Sequence, residues 1–258
     1  MDIRQIIQLS SYPNIYYIQS LSNMKDGRHK RYLYKYYDLE TAIKAIIDGV
    51  IRFSEPAKWH DPFEKRFYKA NYSQRFSKET HPNLQACCFT KNKNSEPSWK
   101  MYTYGKNGLA YRCVQFKINV TNLRKELLKD KDVKYYEGDV AYLSEWSIKN
   151  IHNPRKDSYR VFFEPNLTLE KYINLLLLKR EAFSYEGERR FFRIPNDKCI
   201  TNTDVKIDWN TILEEIKLSA DITELEKYLF EEVCKSRGID LKVVKNNLNN
   251  HGKNIKIK

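Results

Sequence analysis

The chain contains no C-x-x-C pair, no G-x-G-x-x-G, no P-loop and no apolar run near the length of a membrane span. Each absence excludes something. Its five cysteines, Cys87, Cys88, Cys113, Cys199 and Cys234, are odd in number and unpaired in spacing, which excludes a disulfide framework and a zinc ribbon. Cys87 and Cys88 are neighbours in an expected strand, so they point to opposite faces. Buried thiols in a reducing cytoplasm account for all five. The histidines at 29, 60, 81, 152 and 251 are scattered without ligand spacing, so no metal is expected. Without a glycine-rich phosphate loop, neither a Rossmann site nor a P-loop NTPase is expected. The longest apolar run, 175–178, falls far short of the ~20 residues a span needs. The first residues lack the apolar stretch of a secretory signal. A cytoplasmic protein without a membrane partner is expected, and no internal repeat is present.

What is abundant is positive charge. The chain has 258 residues, 41% of them hydrophobic and 14% aromatic, with a net charge of +13. That length suits one large domain or two small ones. The charge suits a polyanion, above all nucleic acid. A lysine-rich genome explains it as well, because Lys, Asn, Ile and Tyr are enriched together.

The most informative stretch is 33–64, LYKYYDLETAIKAIIDGVIRFSEPAKWHDPFE. Residues 33–37 are aromatic-rich and predict a strand. Asp38 is placed to cap a helix, whose apolar face is Leu39, Ala42, Ile43, Ile46 and Ile47. Gly49 closes that helix in a left-handed conformation, and 50–53 predict a second strand. A turn dense in Pro, Asp and Glu follows.

Here the chain resembles a bacterial domain-of-unknown-function family found among abortive-infection proteins. The family pattern runs L-Y-K-Y, a helix, R-F-S-x-P and D-P-F-E, then C-F, W-x-x-Y with a nearby Gly, and Y-E-x-E-x-R. The matches are Cys88-Phe89, Trp99 with Tyr102 and Gly108, and 185–190, YEGERR, so the likeness covers about 33–194. Arg189 stands where the family has an aromatic residue, and His60 where it has Asn. The family is in turn distantly similar to ADP-ribosyltransferases, and in these features to the mRNA-modifying toxins of toxin–antitoxin–chaperone phage-defence systems. The resemblance implies an α+β fold of split antiparallel sheets flanked by helices, with a helical C-terminal extension. It implies an N-terminal arm (1–32), a transferase core (33–200) and an extension with a basic tail (201–258). It further implies NAD as substrate, nucleic acid (RNA favoured) as acceptor and a protein antitoxin as partner.

Cleavage of the NAD glycosidic bond builds positive charge on the ribose, which a held carboxylate stabilises. By the resemblance, Glu188 or Glu186 is that carboxylate, the other orienting or deprotonating the acceptor. Lys35 would meet the phosphates, with Arg52 or Arg66 as alternatives. Tyr36 or Tyr102 would stack on the nicotinamide, and Ser54 and Thr90 would donate hydroxyls. Asp61 and Glu64 either fix their turn or line the pocket. Against this stands a plainer expectation, a solvated ion-pair ladder of Glu186, Glu188, Arg189 and Arg190 on an edge strand. Two alternatives stay open: a nuclease holding magnesium with Asp61, Glu64 and Glu188, and a non-catalytic nucleic-acid module using Lys35, Arg66 and the tail.

Elsewhere Ile3, Ile6, Ile7 and Leu9 predict a short helix, and 65–72 a loop or strand alternating rings and cations. Strands are expected at 84–90 and 109–118, with short helices at 99–104 and at 121–129, the latter capped by Thr121 or Asn122. Two strands, 133–136 and 140–143, flank a tight connection at 137–139. Residues 144–166 are irregular, 168–181 helical, and 183–194 a strand with Glu186, Glu188 and Arg190 on one face. Two helices, 208–218 and 223–237, follow, the second opened by a Thr223/Glu226 capping box. The tail carries Lys242, Lys245, Lys253, Lys256 and Lys258.

Overall fold

The computed structural model describes residues 4–8, 15–20, 31–59, 61–69, 84–93, 96–103, 112–150, 169–195 and 203–246. The five histidines, Cys199, Gly108, the loop 23–30, most of the irregular segment at 151–166 and the tail lysines Lys253, Lys256 and Lys258 lie outside the described residues. The described residues form an α+β protein. In chain order they give β1 (Arg4–Gln8), β2 (Ile15–Ser20), β3 (Tyr32–Asp38), α1 (Leu39–Asp48), β4 (Val50–Arg52) and α2 (Pro62–Lys69). Then come β5 (Gln85–Thr90), α3 (Glu96–Thr103), β6 (Cys113–Asn119), α4 (Val120–Leu127), β7 (Val133–Asp139), β8 (Ala141–Leu143) and α5 (Glu145–Asn150). The rest are α6 (Leu169–Leu175), β9 (Leu178–Arg180), β10 (Glu188–Pro195), β11 (Asp204–Lys206), α7 (Trp209–Ile212), β12 (Leu213–Leu218), α8 (Glu224–Ser236) and β13 (Val243–Lys245). Among the described residues no helix is long and apolar enough to cross a membrane.

The chain divides into two compact units made of discontinuous stretches. The first takes 1–29, 52–88 and 127–205. Its sheet has the order β1-β2-β7-β10-β5. β1 and β2 are antiparallel, β2 runs parallel to β7, and β7 is antiparallel to β10. β10 is therefore an interior strand, and its residues from Glu188 to Arg193 are all buried. A core of Leu84, Tyr136, Tyr172, Ile173, Leu175–Leu178 and Phe192 packs with Trp59 and Phe63. β8 and β9 pair in parallel within this unit.

The second unit takes 30–51, 89–126 and 206–258. β3 pairs antiparallel with β6 along its whole length, β6 pairs antiparallel with β12, and β12 runs parallel to β13. The strand–helix–strand reading holds in detail here. Asp38 accepts the Thr41 N–H at 2.8 Å, and Gly49 ends α1 at φ 60°. α1 buries Ala42, Ala45 and Ile46, whereas Ile47, expected inside, is 41% exposed. The indole N–H of Trp209 donates to the Ala45 carbonyl at 2.8 Å and ties α7 to α1. α8 carries the Thr223/Glu226 capping box.

Several elements differ from expectation. The 3–9 pattern is a strand, β1, paired with β2. Residues 62–69 are helical, because Pro62 suits a first helical turn and Asp61 accepts the Phe63 N–H at 2.9 Å. β7 runs straight through 137–139, where a tight connection was expected, because Gly138 and Asp139 pair with Arg190 and Arg189. α4 is capped by Asn119, whose side chain accepts from Asn122. The helix expected over 168–181 stops at Leu175, and Leu178–Arg180 is a strand. The sheets are mixed, with three parallel pairs, where antiparallel ones were expected. Residues 203–246 supply three strands besides helices.

Candidate active site

Three signature pieces meet inside the first unit. Asp61 and Pro62 start α2, which turns Glu64 inward to 5% exposure. The apolar run ending at Leu178 brings Lys179 in on β9. From Glu181 to Glu186 the chain makes a 3-10 helix, and Gly187 leaves it at φ 52°. That left-handed residue separates Glu186 from β10, so the expected single strand with period-two acids is not formed. The two glutamates converge nonetheless, because both reach Lys179.

Lys179 Nζ contacts Glu186, sits 3.3 Å from Glu188 Oε2 and 4.0 Å from Glu64 Oε2. Arg190 holds Glu188 with two parallel bonds, Nε to Oε1 at 3.1 Å and Nη2 to Oε2 at 2.7 Å. Its Nη2 also donates to Glu64 and its Nη1 to the Leu176 carbonyl. The guanidinium lies 4.2 Å from the centre of the Trp59 ring, a cation–π contact. Tyr142 Oη accepts the Glu188 N–H at 2.8 Å, and the Cys88 thiol hydrogen-bonds the Glu188 carboxylate. At the rim, Arg180 donates to Asp61 at 3.0 Å, and the cations of Lys179 and Arg180 both lie over Phe183, at 5.0 and 4.9 Å.

Three carboxylates thus share two cations, leaving one negative charge in excess when all are ionised. Ions this buried persist only when geometry and hydrogen bonds offset desolvation. Their proton affinities are split. Burial pushes Glu188 up, but Arg190 and then Lys179 outweigh it and bring it down to about 2. Burial prevails over Arg190 and Lys179 at Glu64, and over Lys179 at Glu186, so both are raised. Lys179 is lowered by burial but raised on balance by the three glutamates. Burial keeps the Tyr142 phenol protonated. The cluster therefore keeps Glu188 ionised and has room for one exchangeable proton on Glu186 or Glu64. Carboxylates whose environments push them apart in this way suit acid–base work.

The expected ladder of exposed charges on an edge strand is not what forms. Glu188, Arg189 and Arg190 are buried on an interior strand, and Arg189 turns to Asp139, 2.7 Å away. Asp61 both starts its helix and binds Arg180, while Glu64 joins the cluster. The three acids proposed for magnesium are engaged by Arg180, Arg190 and Lys179, and no group of described residues could hold a metal ion.

Ser54, also in the first unit, donates to the Ala86 carbonyl at 3.4 Å. Arg52 is held by Asp204 through two bonds, at 2.7 and 3.0 Å. Lys35, Tyr36, Thr90 and Tyr102 belong to the second unit. Lys35 Nζ lies 5.3 Å from the Tyr37 ring and 5.2 Å from that of Phe89. Tyr36 Oη accepts from Gln115 at 2.6 Å, and its ring meets Trp99 edge-on at 5.1 Å. Thr90 Oγ1 accepts the Asn92 N–H at 3.0 Å. Tyr102 lies on α3, and Arg66 on α2.

Sequence reasoning missed Lys179, Trp59 and Tyr142. Lys179 had a signal, a cation closing an apolar run that is too short for a span. The other two had none beyond their aromatic character. No family model matches the chain, and neither does any curated protein or solved structure.

Proposed function

We propose that this chain is an ADP-ribosyltransferase-like enzyme that moves ADP-ribose from NAD to nucleic acid, RNA above other acceptors. In this proposal it is the cytoplasmic toxin of a phage-defence system and is restrained by a protein antitoxin. The observation that carries the proposal is the convergence of Glu64 with Glu186 and Glu188 around Lys179 and Arg190. These acids come from the two most distinctive stretches of the sequence, more than a hundred residues apart.

In the proposed reaction the bond between ribose C1′ and the nicotinamide nitrogen breaks, and nicotinamide leaves neutral with the bonding electrons. The cationic ribose left behind is stabilised by the excess negative charge of the cluster. An oxygen or nitrogen of the acceptor bonds to C1′ and releases its proton to Glu186, the least buried of the three acids at 13% side-chain exposure. Glu188, bound twice by Arg190, stays ionised and holds Lys179 in place, a positioning role. Raised proton affinity at Glu186 supports its use as the base.

That every acid of the cluster already has a cation favours a second reading, a nucleic-acid-binding module without chemistry. Incubation with NAD labelled on the adenylate phosphate and with cellular RNA separates the two. Transfer of label to RNA by the wild-type chain, lost in Glu186→Gln with RNA affinity intact, supports the transferase. Salt-sensitive binding without transfer supports the module.

A further inference from the structure

We infer that α8 is a self-association surface and that its partner is a second copy of this chain. α8 turns Phe230 and Cys234 into the second unit, where both are buried. Its opposite face carries Leu225, Tyr228 and Leu229, which are 65%, 57% and 52% exposed. They are spaced i, i+3, i+4, so they form one apolar stripe. An exposed stripe of three large side chains on one helix is unusual for a surface otherwise rich in lysine.

The charges around the stripe identify the occupant. Each acid of α8 is matched by a cation of the same chain: Glu224 by Lys245, Glu226 by Arg112, Glu231 by Lys227 and Glu232 by Lys235. The face is therefore electrically neutral on a chain of net charge +13. It offers nothing to attract a polyanion or a strongly charged protein. Two cationic copies repel each other wherever else they approach, and here they meet without juxtaposing unpaired charge. Two α8 helices packed across a twofold axis place Tyr228 and Leu229 of each copy against the same residues of the other, an isologous contact. The stripe is small against a standard interface, so the dimer is weak and concentration-dependent.

Sedimentation equilibrium of the nuclease-treated full chain, from low micromolar to several hundred micromolar, tests this. The mass should rise from one chain to two across that range. Added salt should tighten the dimer by screening the repulsion between copies, whereas an assembly bridged by residual nucleic acid would loosen. Leu229→Glu should weaken association about tenfold or more, the size expected of a central contact. Leu229→Met, which keeps the apolar volume, should leave it unchanged, and both variants should melt with the wild type. A chain that stays monomeric throughout overturns the inference. So does a dimer that Leu229→Glu does not weaken, or one that salt dissolves.

Discussion

At Arg190 a guanidinium only 1% exposed binds Glu188, Glu64 and the Leu176 carbonyl. Arg190→Met leaves two buried carboxylates short of their cation, which should cost about 3–5 kcal/mol in a urea titration. Arg190→Lys should recover only part of this, since an ammonium cannot make the two parallel bonds to Glu188. The glutamates should also divide the pH dependence of stability between them. Glu188 is held below its ordinary value of 4.5, at about 2. It contributes stability above pH 4.5 and loses that contribution as pH falls from 4.5 towards 2. Glu64 and Glu186 are displaced the other way. Their contribution is complete below 4.5 and lost as pH rises through their raised values. Thermal melts across pH should show the acid decline flattened in Glu188→Gln. The decline above 4.5 should flatten in Glu186→Gln.

Among the elements, the turn at Gly187 decides where Glu186 points. Its φ of 52° lies where only glycine is at ease, and a β-carbon there costs about 1 kcal/mol. Gly187→Ala should lower stability by about that much but reduce nicotinamide release by far more, because Glu186 loses its approach to Lys179. Equal loss of both would show the turn to be structural only. The same turn explains why 183–194 reads as one strand: its composition is strand-like on both sides, and one left-handed residue leaves no periodic signal. Capped elements were legible, as at Asp38, Gly49 and Thr223, because a cap is written in neighbouring residues. Elements set by distant partners were not. Leu213 and Ile216 are three apart and suggest a helix, yet both are buried in β12, where the register shifts between Leu213 and Glu215. A bulge puts residues of helical spacing on one face of a strand. β1 likewise depends on β2, and β9 on β8. The acids of the site were visible in the sequence. That they would be buried and share Lys179 was not, because Lys179 sits at the end of a run that fits a helix or a strand equally well.

For the whole molecule, charge governs encounters and the cluster governs chemistry. With a net charge of +13, affinity for RNA should fall steeply and linearly on a log–log plot against salt. Glu186→Gln and Glu188→Gln should leave that slope unchanged, as filter binding at several salt concentrations would show; a changed slope would mean that the acids face the nucleic acid directly. The most direct test of the catalytic claim needs no acceptor. Nicotinamide release from NAD is followed with the folded wild-type chain and Glu186→Gln side by side. The cluster described here should release nicotinamide in the wild type, slowed about a hundredfold or more in the variant, the range typical of a lost general base, with matching melting temperatures. Release at equal rates by both, or by neither, would contradict it.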